Sequence, residues 1–495
     1  MSVYLRSARF WILSVAVLTV LPTVHYSRGF VWPDEIYQTV EPAYNWLYGR
    51  GILTWEFEEQ VRSVLYPALM APVVGSVYGL TSNPEVLYFT LRLLVGCFYA
   101  FALLSLYNLF RRFWYPSAEM NEARSASLIF FLLLVGCMPP ALYFGFRTLT
   151  ESLSTALVIM GLSALYRMSD RNWIIISGSG GFLLGLAYGI RFQTALFTGP
   201  FLIAYFFSIQ SDCFRRDARP ARRRIYAVSG GMVLALLIYA LSDWLYYDIP
   251  FISTYRYFEF NIVKDVASQW GRRPFGFYLQ TIYQLYGLLP ALLALPAIFM
   301  FFKKTYPIIA GMFFFWLVHA LVGHKEERFI YLLFPLLGLF AAGGLFQIWR
   351  YLQTEHKRRV WPVTILLILF TLFGYYRAAL RIPWNLNRLN LTAFTATGDV
   401  EWTGNALVGT ADIFAWSPGY VYLGPDFRYH LSFYELGGSI DRREQETKFI
   451  IDNQIKHILM PAEFEPYYCA QFDFCEVQKH IDSLVWMRKK NGAME

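Results

Sequence analysis

Residues 85–110 read EVLYFTLRLLVGCFYAFALLSLYNLF, and this stretch decides the class of the protein. Only Glu85 and Arg92 in it carry a charge, and most of the other positions are apolar. A helix of about 20 apolar residues is long enough to cross the hydrocarbon core of a bilayer. The stretch therefore predicts a transmembrane helix.

Similar apolar runs recur along most of the chain. Of its 495 residues, 56% are hydrophobic and only 16% are charged, whereas ordinary soluble domains are about 25% charged. This composition excludes a soluble enzyme and a disordered chain, and it predicts an all-α polytopic membrane protein with about eleven transmembrane helices. The further spans are expected at about 9–27, 125–146, 151–167, 173–190, 193–209, 226–246, 286–302, 306–322, 329–348 and 361–377.

Positive charge concentrates on one side of these predicted spans. The net charge is +8, and the basic clusters fall in alternate loops, with the densest cluster at 215–224. Because cytoplasmic loops carry an excess of Lys and Arg, we expect a cytoplasmic N-terminus and an outer C-terminal tail. The first span lacks a small-residue cleavage site before Trp32, which indicates a retained anchor. The charge pattern does not indicate a nucleic-acid surface.

The C-terminal part, residues 378–495, differs in character from the rest. It is rich in charge and contains short alternating stretches at 406–410 and 420–423. Turn formers occur there as well, at 417–419 and 437–438. This pattern predicts a small extramembrane α/β or α+β domain, which follows a transmembrane catalytic domain over residues 1–377.

Two features of this C-terminal domain depend on the compartment. Cys469 and Cys475 lie close together, and the sequence leaves open whether they form a disulfide or stay as free thiols. Asn390-Leu391-Thr392 is a glycosylation sequon, which has meaning only in a eukaryotic host.

The first predicted outer loop, residues 28–63, holds an adjacent pair of carboxylates. Asp34 and Glu35 follow Pro33, a residue type that favours the first turn of a helix. The positive end of a helix keeps a carboxylate ionised, as a general base requires. Two interpretations stay open, a catalytic pair and a simple charge pair on an interfacial helix.

The same loop continues with an aromatic and acidic stretch. Trp55, Glu56 and Arg62 are its candidate binding residues. Aromatic side chains favour the membrane interface, so such a surface suits a polar head group that carries a lipid tail.

A second candidate site lies between two predicted spans, in the hexapeptide His324-Lys325-Glu326-Glu327-Arg328-Phe329. Polar groups at membrane depth are costly unless they are used. Three of these residues can carry positive charge and bind a phosphate, namely His324, Lys325 and Arg328, and Glu327 lies beside them. A structural ion-pair turn is one alternative. A metal site is a weaker alternative, because His324 and Glu327 would supply only two ligands.

Two arginines lie at the outer ends of predicted spans. Arg147 and Arg191 either extend to the interface or contact a phosphate. Glu151 is a third option for Arg147, since it lies four residues further along a predicted helix.

Carboxylates and cations on one membrane face favour group transfer from a lipid phosphate. A carboxylate would take a proton from an acceptor hydroxyl, and the cations would stabilise the departing phosphate. We expect Asp34, Arg191 and His324 to line one cavity, and we expect no cofactor and no metal. A transporter is a weaker alternative, because the charges lie in loops and no repeat relates the two halves.

These residues resemble a known family. The stretches Trp32–Glu41, Gly51–Glu56 and Arg62–Pro67 are similar to the first luminal loop of the GPI-anchor and Alg9-like mannosyltransferases, glycosyltransferase family 22, and above all to its GPI branch. The hexapeptide 324–329 resembles the second signature of this family, and Arg147 lies at a further family position.

The resemblance implies a GT-C fold over about residues 9–377. It also implies a glycosyltransferase that moves mannose, with inversion, from dolichyl- or polyprenyl-phosphate mannose to a lipid-linked glycan acceptor. The product would be an α-mannoside, and membrane lipids would surround the site. Asp34 would be the base, and Glu35 would orient the acceptor or donor.

Contacts to the donor phosphate are carried over from the second signature. The resemblance assigns them to His324, Lys325 and Arg328, with Glu327 and its neighbour Glu326 holding the turn. Arg147 and Arg191 would be second-line phosphate or sugar contacts.

The donor sugar and the compartment stay open. The loops are short for a eukaryotic member and the chain ends in Asn491-Gly492-Ala493-Met494-Glu495, which is not a retrieval signal. The alternative is therefore a bacterial homologue that transfers another polyprenyl-phosphate sugar. We expect the endoplasmic reticulum membrane in a eukaryotic host and the inner membrane in a bacterial one.

Overall fold

The computed structural model describes most of the chain, and within it the chain divides into two compact units. The described ranges are 2–26, 29–114, 121–167, 172–213, 218–382, 405–410, 419–422, 431–435, 450–452, 454–462, 465–481 and 484–489. The helical unit comprises Met1–His25, Thr54–Leu69 and Leu91–Pro383. The sheet unit comprises Tyr26–Leu53, Met70–Thr90 and Trp384–Glu495.

Helices make up most of the described chain. In chain order they are α1 Ser2–Tyr26, α2 Asp34–Tyr37, α3 Val40–Tyr48, α4 Trp55–Glu58, α5 Leu65–Tyr78, α6 Pro84–Trp114, α7 Asn121–Phe131, α8 Pro139–Phe144, α9 Thr150–Tyr166, α10 Trp173–Ile190, α11 Ala195–Cys213, α12 Ala218–Tyr247, α13 Ile252–Phe258, α14 Phe277–Leu285, α15 Leu288–Met300, α16 Phe302–Leu321, α17 Leu333–Glu355, α18 Val360–Arg381 and α19 Glu465–Phe472.

Several of these helices are long enough to cross a membrane. Seven helices in the described part of the chain have the length and apolar composition of a span, and the bent pair α14–α15 is an eighth if it is counted as one. The remaining predicted spans also contain helix, but as shorter apolar pieces such as α9. The prediction of an integral membrane protein made of helices is confirmed.

One predicted span, 125–146, is broken in the middle. Helix α7 ends at Phe131 and continues as one wide turn over Leu132–Gly136. The next helix, α8, begins with Pro139 and Pro140 in its first turn. Proline has no N–H to donate, so a second helix can begin there but the first cannot run through it.

The stretch between the predicted spans 226–246 and 286–302 is not a plain connecting loop. It contains α13 and α14, together with a short 3-10 helix over Val266–Trp270. Helices α14 and α15 meet at an angle of 107°. The chain bends at Gly287. Its φ is 99°, a backbone angle that residues other than glycine rarely adopt.

Helices α10 and α12 approach each other so closely that their backbones touch. A Cβ atom added at Gly181 would lie 1.9 Å from the carbonyl oxygen of Val228. A Cβ atom added at Gly231 would lie 1.9 Å from the carbonyl oxygen of Gly178. Membrane helices are held together by such close packing, because lipid tails are as apolar as the helices themselves.

The sheet unit contains a five-stranded mixed sheet. Its strands are β1 Asn405–Thr410, β2 Leu431–Glu435, β3 Ile455–Pro461, β4 Glu476–Ile481 and β5 Leu484–Arg488. They lie in the order β2-β1-β3-β5-β4, with β1 parallel to both β2 and β3 and with β5 antiparallel to both β3 and β4. The prediction of a small domain of strands and helix in this part of the chain is confirmed.

One detail of that prediction was wrong. The stretch beginning at Tyr420 forms a short 3-10 helix, Tyr420–Tyr422, rather than a strand. Gly419 before it does turn the chain, with φ of 70°. Ser417, Pro418, the glycine pair 437–438 and the sequon 390–392 lie outside the described residues.

The sheet unit has its own core and one disulfide. Buried side chains from β3, β5 and α19 pack together, among them Ile458, Tyr468 and Met487. A disulfide joins Cys469 to Cys475, which decides the alternative that the sequence left open. The bond connects α19 to the segment that leads into β4.

We expect Gly231→Ala to destabilise the protein by about 1–3 kcal/mol, because the new methyl group would overlap the backbone of α10. Thermal unfolding in detergent measures this. Gly230→Ala is the matched control, since a Cβ atom there meets nothing within 4 Å. Equal unfolding midpoints for the two variants would contradict the close approach.

Candidate active site

The acidic pair of the first loop lies in a single helical turn of the sheet unit. Pro33 adopts helical backbone angles, and the chain turns at once into α2. Glu35 is buried, and its Oε1 accepts the backbone N–H groups of Val31 at 2.9 Å and Trp32 at 3.4 Å. Glu35 therefore shapes the turn that carries Asp34, whose side chain is half-buried.

A third carboxylate, Glu41, was quoted in the motif but was given no role of its own. It is fully buried, and it accepts three backbone N–H groups, from Ile52 at 2.9 Å, Tyr420 at 2.9 Å and Val421 at 2.8 Å. Burial raises the pKa of Glu41 to about 7, against the opposing effect of the three hydrogen bonds. The sequence signal was its place among the apolar residues of α3, which a solvated carboxylate would not occupy.

The cations of the helical unit gather around Glu151, in the first turn of α9. Arg191 contacts it at 2.7 Å, and the Nε of Arg328 lies at 3.7 Å. All three side chains are at least nine-tenths buried. Thr150 donates to Glu151 at 3.0 Å and accepts from Arg191 at 3.4 Å. Glu151 thus brings together Arg191 and Arg328, two predicted phosphate contacts. From the sequence, Glu151 was considered only as a partner of Arg147.

The second signature is folded around its own carboxylate, Glu326. Arg328 donates two hydrogen bonds to it, at 2.9 and 3.0 Å, and His324 Nε2 lies at 3.2 Å. Arg328 and His324 lower the pKa of Glu326 to about 2 although burial opposes them. The same contact raises the pKa of His324 above its ordinary value. Phe329 lies under the guanidinium groups of both Arg191 and Arg328.

The ammonium group of Lys325 is bound by backbone carbonyl oxygens. Its ammonium donates to the carbonyl oxygens of Val322, Gly323 and Arg273. An ammonium has three N–H bonds, and three carbonyls accept them. Desolvation lowers the pKa of Lys325. The neighbouring Glu327 is exposed and begins a 3-10 turn.

The remaining predicted binding residues of the helical unit lie in two groups. Glu56 and Arg62 form an ion pair at 2.7 Å, and the ring of Trp55 lies 6.0 Å from that of Phe260, between centroids. Arg147 is fully buried, donates to the carbonyl of Tyr143 and lies over the ring of that residue.

Tyr257, which sequence reasoning missed, lies near Arg62 of the first group and near Arg191. It lies in α13 and accepts a hydrogen bond from Gln193. Burial raises its pKa, and the nearby Arg62 and Arg191 lower it. The two cations from separate predicted sites therefore act on one hydroxyl.

Metal binding by these groups finds no support in the described part of the chain. No three His, Cys, Asp or Glu side chains lie together there in a way that could hold an ion. His324 and Glu326 are instead paired with each other.

Comparison with known proteins agrees with the signatures. The model of the Alg9-like mannosyltransferase family matches residues 10–401. The chain belongs to this family. It is 28% identical to GPI mannosyltransferase 3 of Candida albicans over 320 residues, which is 64% of this chain and 60% of the relative. It is 25% identical to GPI alpha-1,2-mannosyltransferase 3 of Bos taurus over 391 residues, or 77% and 66% of the two chains. The matches therefore span less than two thirds of these relatives' own length.

Solved structures show the same fold in more distant proteins. ArnT from Cupriavidus metallidurans, bound to undecaprenyl phosphate, gives a TM-score of 0.63 at 13% identity and covers 97% of each chain. The oligosaccharyltransferase of Archaeoglobus fulgidus gives 0.52 and covers 94% of this chain and 69% of its own. The Alg9-like chain thus has the GT-C fold that its resemblance implied.

We expect Glu151→Gln to destabilise the protein by about 3–5 kcal/mol, because it leaves two buried guanidinium groups without their shared anion. Thermal unfolding in detergent measures the loss. Glu259→Gln serves as the control, since its ion pairs with Arg256 and Lys264 are solvated and should matter little. An unchanged midpoint for Glu151→Gln would show that the cluster does not hold the fold.

The pair of His324 and Glu326 predicts a pH-dependent contribution to stability. Because the folded protein raises the pKa of His324, its stabilisation is present below about pH 6.5 and is lost as the pH rises through the folded value. Glu326 stays ionised throughout this window. The unfolding midpoint of wild type should exceed that of His324→Gln by more at about pH 6 than at about pH 8.5. In a Glu326→Gln background this pH dependence should disappear, and its persistence there would assign it to another group.

Proposed function

We propose that this chain is a membrane mannosyltransferase that uses dolichyl- or polyprenyl-phosphate mannose as donor and a lipid-linked glycan as acceptor. Family membership and the relatives named GPI mannosyltransferase 3 support mannosyl transfer. ArnT shares the fold and was bound to undecaprenyl phosphate, which supports a polyprenyl-phosphate carrier.

The observation that carries the proposal is the buried pair of guanidinium groups at Glu151. Glu151 and Glu326 balance the charges of Arg191 and Arg328, and His324 adds a positive charge when it is protonated. The Nη2 of Arg191 is buried and has no hydrogen-bond partner among the described residues. A guanidinium in this state is suited to an anion with several oxygens, as in the phosphate of the donor.

The reaction we propose is an in-line displacement at the anomeric carbon. Asp34 takes the proton of the acceptor hydroxyl, and the acceptor oxygen forms the new bond to that carbon. The bond from the carbon to the phosphate oxygen breaks, and the lipid phosphate leaves with the electron pair. Arg191, Arg328 and His324 stabilise the charge that develops on it. One displacement inverts a β-linked donor to an α-mannoside.

The other predicted residues take supporting roles in this scheme. Glu35 holds the turn of Asp34 through the backbone N–H groups it accepts. Lys325 and Glu326 hold the second signature, because Lys325 donates to backbone carbonyls that include that of Arg273, and Glu326 accepts from Arg328. Arg62 and Glu56 would face the acceptor.

We also propose that the active site and the C-terminal domain lie on the outer or luminal side of the membrane. The alternation of basic loops supports a cytoplasmic N-terminus. For a eukaryotic host we propose the endoplasmic reticulum membrane, which the resemblance to the family implies.

Asp34→Asn should lower transfer by at least about 100-fold, because the amide cannot accept the proton. Membranes that contain the full chain are given polyprenyl-phosphate mannose labelled in the sugar, together with a total lipid extract. Labelled lipid product is then measured. Glu476→Gln is the control, an exposed carboxylate of β4 that should leave transfer unchanged.

The outcomes separate the alternatives. Full transfer by Asp34→Asn would exclude this residue as the base. An absence of labelled product from wild type, with product from another polyprenyl-phosphate sugar, would keep the mechanism and change the donor. An absence of product from every lipid-phosphate sugar would favour a transporter.

A further inference from the structure

A short segment far along the chain is bound by Glu41, within the sheet unit. We call residues Gly419–Tyr422 the strap. The two carboxylate oxygens of Glu41 accept the N–H groups of Tyr420 and Val421, residues about 380 positions away in sequence. Oε1 also accepts the N–H of Ile52, which closes the first loop on itself. The carboxylate thus binds three backbone N–H groups from two segments at one buried point.

The strap makes further contacts with the same loop region. The hydroxyl of Tyr78 donates to the carbonyl oxygen of Val421. The ring of Tyr422 lies 5.2 Å from that of Phe30 and 6.0 Å from that of Tyr88, between centroids. Tyr88 in turn accepts the N–H of Gly29 at 3.0 Å.

These contacts lie on both sides of the acidic pair in sequence. Phe30 precedes Asp34 by four residues, and Glu41 follows it by seven. Gly419 fits closely, since a Cβ atom there would lie 2.5 Å from Glu41 Oε2 and 3.0 Å from Ile36 Cγ2. The turn that carries Asp34 is therefore fixed from both ends by one segment of the C-terminal part.

We propose that Glu41 is a positioning residue, and that through the strap it holds the loop of Asp34 in its active geometry. This inference rests on the proposed function, since it assigns the purpose of the contact to catalysis. The C-terminal part then has a role in the reaction without contributing a reacting group.

Glu41 binds the strap through backbone N–H groups, and this contact depends on a carboxylate at position 41. A buried carboxylate is costly unless its oxygens are hydrogen-bonded, and here backbone donors satisfy them. A neutral amide at this position offers one acceptor oxygen and adds two N–H donors, which would face other N–H groups. Glu41→Gln should therefore release the strap while keeping nearly the same shape.

The first readout is hydrogen–deuterium exchange of the full chain in detergent. Glu41→Gln should speed exchange in the peptides that contain Ile52 and the strap, and Glu476→Gln should leave them unchanged. Gly419→Ala is a second variant that disturbs the same contact from the other side and keeps the carboxylate. Unchanged exchange in both strap variants would overturn the inference.

The second readout is transfer kinetics. Glu41→Gln should lower kcat about tenfold or more, with KM for the donor nearly unchanged, because the loss is one of alignment at the base. Added to Asp34→Asn, it should lower the residual rate no further. If Glu41 had only a structural role, Glu41→Gln would reduce the amount of folded enzyme. The activity lost in the double variant would then be the product of the losses in the two single variants.

The outcomes distinguish this inference from the proposed function. If wild type transfers mannose, Asp34→Asn does not, and Glu41→Gln is as active as wild type, then the positioning role alone is overturned. Multiplying losses in the double variant would overturn it as well. If wild type transfers no lipid-phosphate sugar, both proposals fall together. Faster exchange with a lower, non-multiplying kcat would establish the positioning role.

Discussion

The carboxylate of Glu151 is the group on which the arrangement of the helical unit depends. It lies in the first turn of α9 and meets Arg191 at the end of α10 and Arg328 in the second signature. Two cations removed from water repel each other and lose their hydration, so they stay buried only around an anion. Three segments far apart in sequence are therefore tied to one point. Beside it, the buried Nη2 of Arg191 has no hydrogen-bond partner among the described residues, which leaves a donor for a phosphate oxygen.

Three buried carboxylates accept hydrogen bonds from three different kinds of partner. Glu151 binds side-chain cations, Glu35 binds the backbone of its own turn, and Glu41 binds the backbone of a distant segment. Asp34, which is adjacent to Glu35 in sequence, differs from these three in being half-buried. The roles of these carboxylates differ because their surroundings differ, since each oxygen accepts from the donors that pack beside it. This difference explains why adjacent acids such as Asp34 and Glu35 can have separate roles.

Much of the fold and part of the site could be predicted from the sequence. Apolar runs and Pro and Gly signals identified the helices, because burial in lipid requires such runs. The acidic pair and the cationic turn could be identified in a similar way, because charged groups near a membrane are costly unless they have a function. Helices α13 and α14 were missed because they lie in stretches without a long apolar run, and the bend at Gly287 was missed because it falls at the start of a predicted span.

Partnerships could not be predicted. Arg191 and Arg328 are 137 positions apart, and no local pattern joins them to Glu151. The link between Glu41 and the strap is longer still. Lys325 was expected to bind a phosphate because of its charge, whereas its three donors meet three carbonyls. Spacing along a helix predicts neighbours within one element, and such long-range pairs depend on how elements pack.

The binding of Lys325 has a consequence for the kinds of substitution that this position tolerates. Three carbonyl oxygens converge on a compact ammonium, and a planar guanidinium directs its donors in a flat fork that cannot meet them in the same way. A change to arginine would keep the charge and lose the geometry. Sequence variation here should thus follow shape more strictly than charge, and a basic residue of the wrong form should be selected against as firmly as a neutral one.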